Sequence, residues 1–401
     1  MKTILTLKNS IQEYVWGSHT AIAELLGQPV PSKTPQAELW MGAHPKAPSR
    51  VVVNAEWQPL NKLIAEFPIE FLGQPTAAKF GGKLPYLFKV LAAAQPLSVQ
   101  AHPSLQQAGE GFARENKLEI PLDAPNRNYR DENHKPEILC AVTPFWALCG
   151  FRNIDQMVSL FSSIDIAGLE TELQDLVAHP GHGGLRRFFD SLMSMGSDQK
   201  AAVLAHAAKN ARPLADKDPV FRWVLHLSDA YPGDVGVLSP IFLNLVYLKP
   251  GQAIFLPAGE LHAYLEGTGI ELMANSDNVL RGGLTSKHID VQELINVLTF
   301  EERTIPVLAP QRISGTEDVY DSSAEEFVLS RIALDVGRVH SSQETRSIEI
   351  LLCVDGEVTI VGSADDTSVS LQKGMSVLIQ AAAAPYIIKG KGELYKAAVP
   401  L

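Results

Sequence analysis

The spacing of hydrophobic positions divides the chain into three zones. Up to about residue 152 they come in short runs such as Leu87-Phe88-Lys89-Val90-Leu91, interrupted by Gly and Pro, which predicts short strands joined by turns. From about 153 to 230 they recur at helical spacing, as in Ile154, Met157, Val158 and Phe161, then Leu185, Phe188, Phe189 and Leu192, then 201–211. The breakers His179-Pro180-Gly181 and Gly196-Ser197-Asp198 separate these predicted helices. After Tyr231-Pro232-Gly233-Asp234 the strand pattern returns over 241–248, followed by a Pro250-Gly251 turn. The end of the chain reads as strands at 327–334, 347–354, 356–361, 369–371, 376–380 and 386–389, with Asp355-Gly356 as one of the turns.

A repeat lies within this pattern. Laying Lys249-Pro250-Gly251-Gln252-Ala253-Ile254-Phe255-Leu256 over Gln372-Lys373-Gly374-Met375-Ser376-Val377-Leu378-Ile379 aligns the turn glycines and the apolar strand after each. In the second copy, alanines 381 to 384 and Pro385 stand where the first has Ala258 to His262, so ligating side chains are expected in the first copy alone. The expected fold is mainly β, with two jelly-roll barrels and an inserted all-helical block. The expected boundaries are 1–152 and 233–320 for the first barrel, 153–232 for the helices and 321–401 for the second barrel.

Three segments carry candidate chemistry. Gly251, Pro257, Gly259 and His262 are spaced as in the second motif of cupin metal sites, where a turn glycine starts a strand and Pro-x-Gly shapes the bend before an inward histidine. Gln100 and His102 are two apart, which on a strand puts both on one face. Asp131-Glu132-Asn133-His134-Lys135-Pro136-Glu137 crowds charged groups before an apolar run, and an extended backbone puts Lys135 and Glu137 on the face opposite His134. Taken singly, a histidine in a β protein is more often structural, and a charge cluster is more often a solvated turn. Together, two imidazoles, a carboxylate and an amide oxygen without thiolate suit zinc by preference, and also other divalent ions. A non-haem iron oxygenase would use a similar set.

Composition narrows the setting. The 401 residues are 46% hydrophobic, enough for more than one core. No apolar run approaches the roughly eighteen residues of a membrane span, and no signal-peptide core follows Met1, so a cytoplasmic location is expected. Lys and Arg number 34 against 45 Asp and Glu, a net charge of −11 that disfavours nucleic acid and anionic membranes as partners. An anionic ligand would need a local group of basic side chains. The three cysteines, Cys140, Cys149 and Cys353, have no CxxC spacing and are expected as buried free thiols.

These motifs together resemble type I mannose-6-phosphate isomerase over nearly the whole chain. The resemblance runs through Tyr14-Val15-Trp16-Gly17, Ala37-Glu38-Leu39-Trp40-Met41-Gly42, Leu84-Pro85-Tyr86-Leu87-Phe88-Lys89, Gln100-Ala101-His102-Pro103 and His134-Lys135-Pro136-Glu137. It continues through Leu256-Pro257-Ala258-Gly259-Glu260-Leu261-His262-Ala263-Tyr264 and the long segment from Gly269 to Thr285. It implies one zinc ion held by Gln100, His102, Glu137 and His262, with Arg281 as the active-site arginine. It also implies aldose–ketose isomerisation of mannose 6-phosphate through an enediolate, feeding mannose metabolism and GDP-mannose synthesis. Basic candidates for the phosphate are Lys89, Lys135, Arg281 and Lys287. The proton-transfer base is one of Glu271, Asp277, His134 and Lys135, of which Lys135 alone has a spacing argument, and Tyr264 and Trp16 are candidates for lining the sugar pocket. The expected partner is a small sugar phosphate bound by a monomer. The rival readings are a cupin oxygenase and a sugar-phosphate-binding protein without turnover.

Overall fold

Alternate residues of the central strands face two different cores, and this arrangement builds the site. The computed structural model describes residues 2–364 and 367–401. A ten-stranded antiparallel sheet centres on the long strand His262–Ala274, which pairs with Tyr86–Ala93, Val99–Ala101, Glu137–Ala141 and Phe145–Phe151. On one face Leu91, Leu139, Phe145, Leu256 and Tyr264 pack together inside the curl of the sheet. On the other, Phe88, Val90, Ile138, Ile270 and Leu272 pack against Tyr320, Leu329, Ile350 and Tyr395 of a second sheet. Strands buried on both faces read as continuous apolar runs rather than alternating ones, hence the Leu87 to Leu91 pattern.

The second sheet has nine strands and collects both ends of the chain. Ile4–Thr6 pairs with Ser376–Ile379, and Gln311–Arg312 and Glu317–Tyr320 pair on toward Val328–Leu334. The backbone hydrogen bonds of the first strand and of the segment from Gln311 therefore go to the C-terminal strands. Asp355-Gly356 is not a turn. One strand, Glu349–Gly362, runs through it and pairs along Tyr386–Ala398 with a register shift between Cys353 and Asp355. Val354 is the extra residue at that shift, and the left-handed Gly356, at φ +76°, is paired with Gly392 in the ladder that continues on both sides.

Helices Ile154–Ser163, Glu170–Ala178, His182–Met193, Ser197–Ala211 and Pro219–Ala230 follow the helical periodicity. They share one core with Leu148, Phe151, Ala263 and Leu265 of the first sheet. The opening zone also holds helices that strand periodicity did not suggest, namely Ala21–Leu25, Leu60–Glu66, Pro68–Leu72, Gln74–Lys79 and Leu105–Lys117. No helix among the described residues is long and apolar enough to cross a membrane. All three cysteines are buried free thiols.

The repeat extends beyond the turn. Gly251 and Gly374 have φ of +84° and +85°. Leu256 pairs with Glu137, and its counterpart Ile379 pairs with Glu349. Following the registers outward matches Glu271 with Lys396, Lys89 with Ser330 and Glu38 with Glu317.

Candidate metal centre

The three ligand-bearing segments meet at one end of the curled first sheet. Val99–Ala101 ends at His102-Pro103, where proline cannot extend the ladder, and Ser104 starts the helix Leu105–Lys117 with a reciprocal Ser104–Gln107 capping box. Glu137 opens its strand between Leu256 and Met273. His262 follows a turn through Gly259, whose φ is +77° and where a Cβ would sit 2.6 Å from Thr299 Oγ1. The Gly259 amide donates to the His102 carbonyl at 2.8 Å, tying the two histidine segments together.

His102, Glu137 and His262 are each 1% exposed, and their potential ligand atoms lie within 4.8 Å of one another. His102 Nε2 is 3.4 Å from Glu137 Oε1, and His262 Nε2 is 3.5 Å from Glu137 Oε2. Ligands about 2.1 Å from a tetrahedral ion stand about 3.4 Å apart, so this spacing fits a shared cation. The proton positions agree. His102 Nδ1 is 2.7 Å from the Asn278 carbonyl and His262 Nδ1 is 3.0 Å from that of Glu260. A carbonyl only accepts, so both Nδ1 atoms carry hydrogen and both Nε2 lone pairs face the centre. Both Nε2 atoms and Glu137 Oε2 are buried without a hydrogen-bond partner, the condition a metal ion relieves. Burial, with Lys135 nearby, pulls the His102 pKa down to about 4, which keeps the imidazole neutral and able to ligate. Burial opposes ionisation of Glu137, but Lys135 and the histidines outweigh it and hold the carboxyl well below the usual range. Gln100 lies directly opposite His262 on one side and Arg281 on the other, which puts all three on one face.

The remaining candidates divide. Lys135 stands at the centre, its Nζ 2.8 Å from Glu137. His134 turns away and meets Glu326 at 2.6 Å. Lys89 and Glu271 form a buried pair at 2.7 Å, with Glu38 3.7 Å from the same ammonium and itself accepting from Trp40 Nε1 at 2.6 Å. Despite burial, these carboxylates raise the Lys89 pKa and keep it an ammonium. Asp277 pairs with Lys46 at 2.9 Å. Tyr264 is buried with its ring 6.1 Å from that of His262, and Trp16, stacked on Tyr14, packs against the same inner core.

Arg281 and Lys287 lie in each other's field together with Arg130, which sequence patterning did not single out. Burial and Arg130 lower the Arg281 pKa; burial, Arg281 and Arg130 lower that of Lys287. Among the described residues none of the three has a carboxylate partner within salt-bridge distance. Like charges gathered without counter-ions create a local positive field in an otherwise acidic protein. Arg130 precedes the charged cluster by one residue, and its loop is brought to Arg281 by Asn278, a long-range contact that spacing along the chain does not disclose.

Comparison with known proteins agrees with this geometry. Residues 4–154 match the family model described as phosphomannose isomerase type I, catalytic domain, and residues 319–399 match that for the mannose-6-phosphate isomerase cupin domain. The mannose-6-phosphate isomerase of Escherichia coli (strain K12) is 42% identical over 390 residues, covering 97% of each chain. The human mannose-6-phosphate isomerase is 34% identical over 411 residues, covering 94% of this chain and 93% of its own. A crystal structure of a mutant phosphomannose isomerase from Salmonella typhimurium superposes with a TM-score of 0.94 at 40% identity over all of both chains. A zinc-bound holo mannose 6-phosphate isomerase does so with a TM-score of 0.92 at 39% identity, also over all of both chains.

Proposed function

The chain belongs to the type I phosphomannose isomerase family, and on that premise we propose that it interconverts mannose 6-phosphate and fructose 6-phosphate with one zinc ion per chain. The observation that carries this reading is the juxtaposition of a buried His102, Glu137 and His262 group, whose inward atoms lack partners, with the unpaired cations Arg281, Arg130 and Lys287. A sugar phosphate has a polarisable carbonyl for the first and a dianion for the second.

Zinc, when bound, supplies Lewis-acid stabilisation of negative charge on the sugar oxygens. Gln100 completes the ligand set, supported by its register opposite His262. Lys135 takes the proton from C2 and returns it to C1. Its rivals are engaged elsewhere, His134 with Glu326, Glu271 with Lys89 and Asp277 with Lys46. Arg281 stabilises the enediolate from the strand beside Gln100, and Arg130 and Lys287 hold the phosphate. Lys89 anchors Glu271 in the wall of the site rather than binding phosphate, and Tyr264 and Trp16 back the sugar pocket. The architecture is two cupin-type barrels with the helical block 153–232 inserted in the first, the second barrel beginning near Gln311 and including the Ile4–Thr6 strand. The enzyme works as a cytoplasmic monomer and feeds mannose metabolism and GDP-mannose synthesis.

The test is a coupled assay for fructose 6-phosphate formed from mannose 6-phosphate, on protein stripped with chelator and then refilled with zinc, with glucose 6-phosphate as control. Activity on the mannose compound that is lost on stripping and restored by zinc is the expected result. A zinc-loaded protein that turns over neither sugar overturns the reading.

A further inference from the structure

We propose that Asn278 is a positioning residue that holds the metal ligand His102 and the segment bearing Lys135 and Glu137 in one fixed relation. The proposal rests on the reading of His102 as a metal ligand. Asn278 is fully buried in the connection between the strands His262–Ala274 and Leu280–Gly283. Its backbone carbonyl accepts from His102 Nδ1 at 2.7 Å, the contact that fixes the tautomer and turns Nε2 inward. Its side chain reaches the opposite way. Oδ1 accepts from the amides of Arg130 at 2.7 Å and Asp131 at 3.2 Å, while Nδ2 donates to the carbonyls of Asp131 and Asn133, both at 2.9 Å.

Those bonds clamp the loop immediately before Lys135-Pro136-Glu137, so one residue sets the distance between an imidazole and a carboxylate that approach to 3.4 Å. The loop also carries Arg130. The amide nitrogen donates twice and the single amide oxygen accepts twice, a pattern that aspartate cannot reproduce, since a carboxylate has no N–H and would face Asp131 Oδ1, now 3.3 Å from Nδ2. Support of a ligand by groups behind it is worth about 10–100-fold in metal affinity.

The experiment is competition for zinc between chelator and protein, using Asn278→Ala and Asn278→Asp, with Asn133→Ala as comparator. Asn133 lies in the same loop, but its side chain reaches only the Asn275 carbonyl, at 3.2 Å. Both Asn278 variants should bind zinc about 10–100-fold more weakly than the parent, and cobalt-loaded samples should show shifted visible bands, while Asn133→Ala behaves like the parent. Either Asn278 variant that folds by circular dichroism yet holds zinc as tightly as the parent overturns the proposal, as does an equal loss in Asn133→Ala. Should Asn278→Ala not fold, Asn278→Asp carries the test. Zinc uptake by the parent at one per chain, abolished by His262→Ala, checks the underlying metal site separately.

Discussion

A carboxylate buried between two imidazoles stays ionised only if cations surround it, and Lys135 at 2.8 Å supplies one of them. That proximity makes Lys135 the residue best placed to move a proton beside the metal. Lys135→Gln is one bond shorter and keeps a neutral N–H donor but loses the proton carrier, so kcat should fall about 10²–10⁴-fold with zinc still bound, measured by steady-state assay alongside metal analysis. A variant within tenfold of the parent would remove Lys135 from that role. At this scale the sequence was most informative where partners lie close along the chain: the Lys135 and Glu137 face follows from a two-residue period, and His262 from its Pro-x-Gly bend. It was silent where partners are distant. Arg130 and Asn278 meet 148 positions apart, and the inward turn of Lys135 against the outward turn of His134 depends on Glu326, 192 positions from His134.

The site depends on how elements end. Both histidines sit at strand termini, where Pro103 and the Gly259 turn stop the regular ladder and free a side chain to point across the curl of the sheet. Glycine at 259 is required twice, by its φ of +77° and by Thr299 Oγ1 standing 2.6 Å from any Cβ. Gly259→Ala should therefore destabilise the fold by about 1–3 kcal/mol in urea unfolding and weaken zinc retention, since the same turn bonds to the His102 carbonyl. Unchanged zinc retention in a destabilised variant would show that the turn supports the fold alone. Helices Ile154–Ser163, His182–Met193, Ser197–Ala211 and Pro219–Ala230 were legible because each buries one face at a period of 3.6. Leu105–Lys117 was overlooked for the converse reason: only Ala108, Gly111 and Glu115 of it are buried, so it lacks an apolar stripe, although Ser104 and Gln107 spell a capping box. The Asp355-Gly356 pair reads as a turn because a left-handed glycine beside a bulge and one in a hairpin share the same conformation, and only the continued pairing with Tyr386–Ala398 separates them.

At the scale of the whole molecule the two sheets share matching registers around a buried carboxylate and balance its charge differently. In the first, Lys89 answers Glu38 and Glu271, which leaves Glu137 to face the histidines. In the second, the register counterpart of Glu271 is Lys396, whose ammonium lies 2.7 Å from Glu317 and 3.3 Å from Glu349, the counterparts of Glu38 and Glu137. Arg346, at 3.3 Å, and the Tyr386 hydroxyl, at 2.9 Å, complete the partners of Glu349. The repeat was visible in the sequence through its turn glycines, and alanines 381 to 384 pointed to a second copy without ligands. The equivalent carboxylate is nevertheless present, and a built-in cation occupies its charge. Lys396→Met would leave Glu317 buried without its ammonium, while Glu349 keeps Arg346 and the Tyr386 hydroxyl, and should cost about 3–5 kcal/mol in urea unfolding, with most of that recovered in Lys396→Met/Glu317→Gln, because removing one partner of a buried pair costs more than removing both. Turnover per folded molecule should not change, since no residue of this network reaches the metal ligands. A single variant costing under about 1 kcal/mol would mean that water rather than Lys396 balances the charge, and that the second sheet is open enough at this end for solvent to enter.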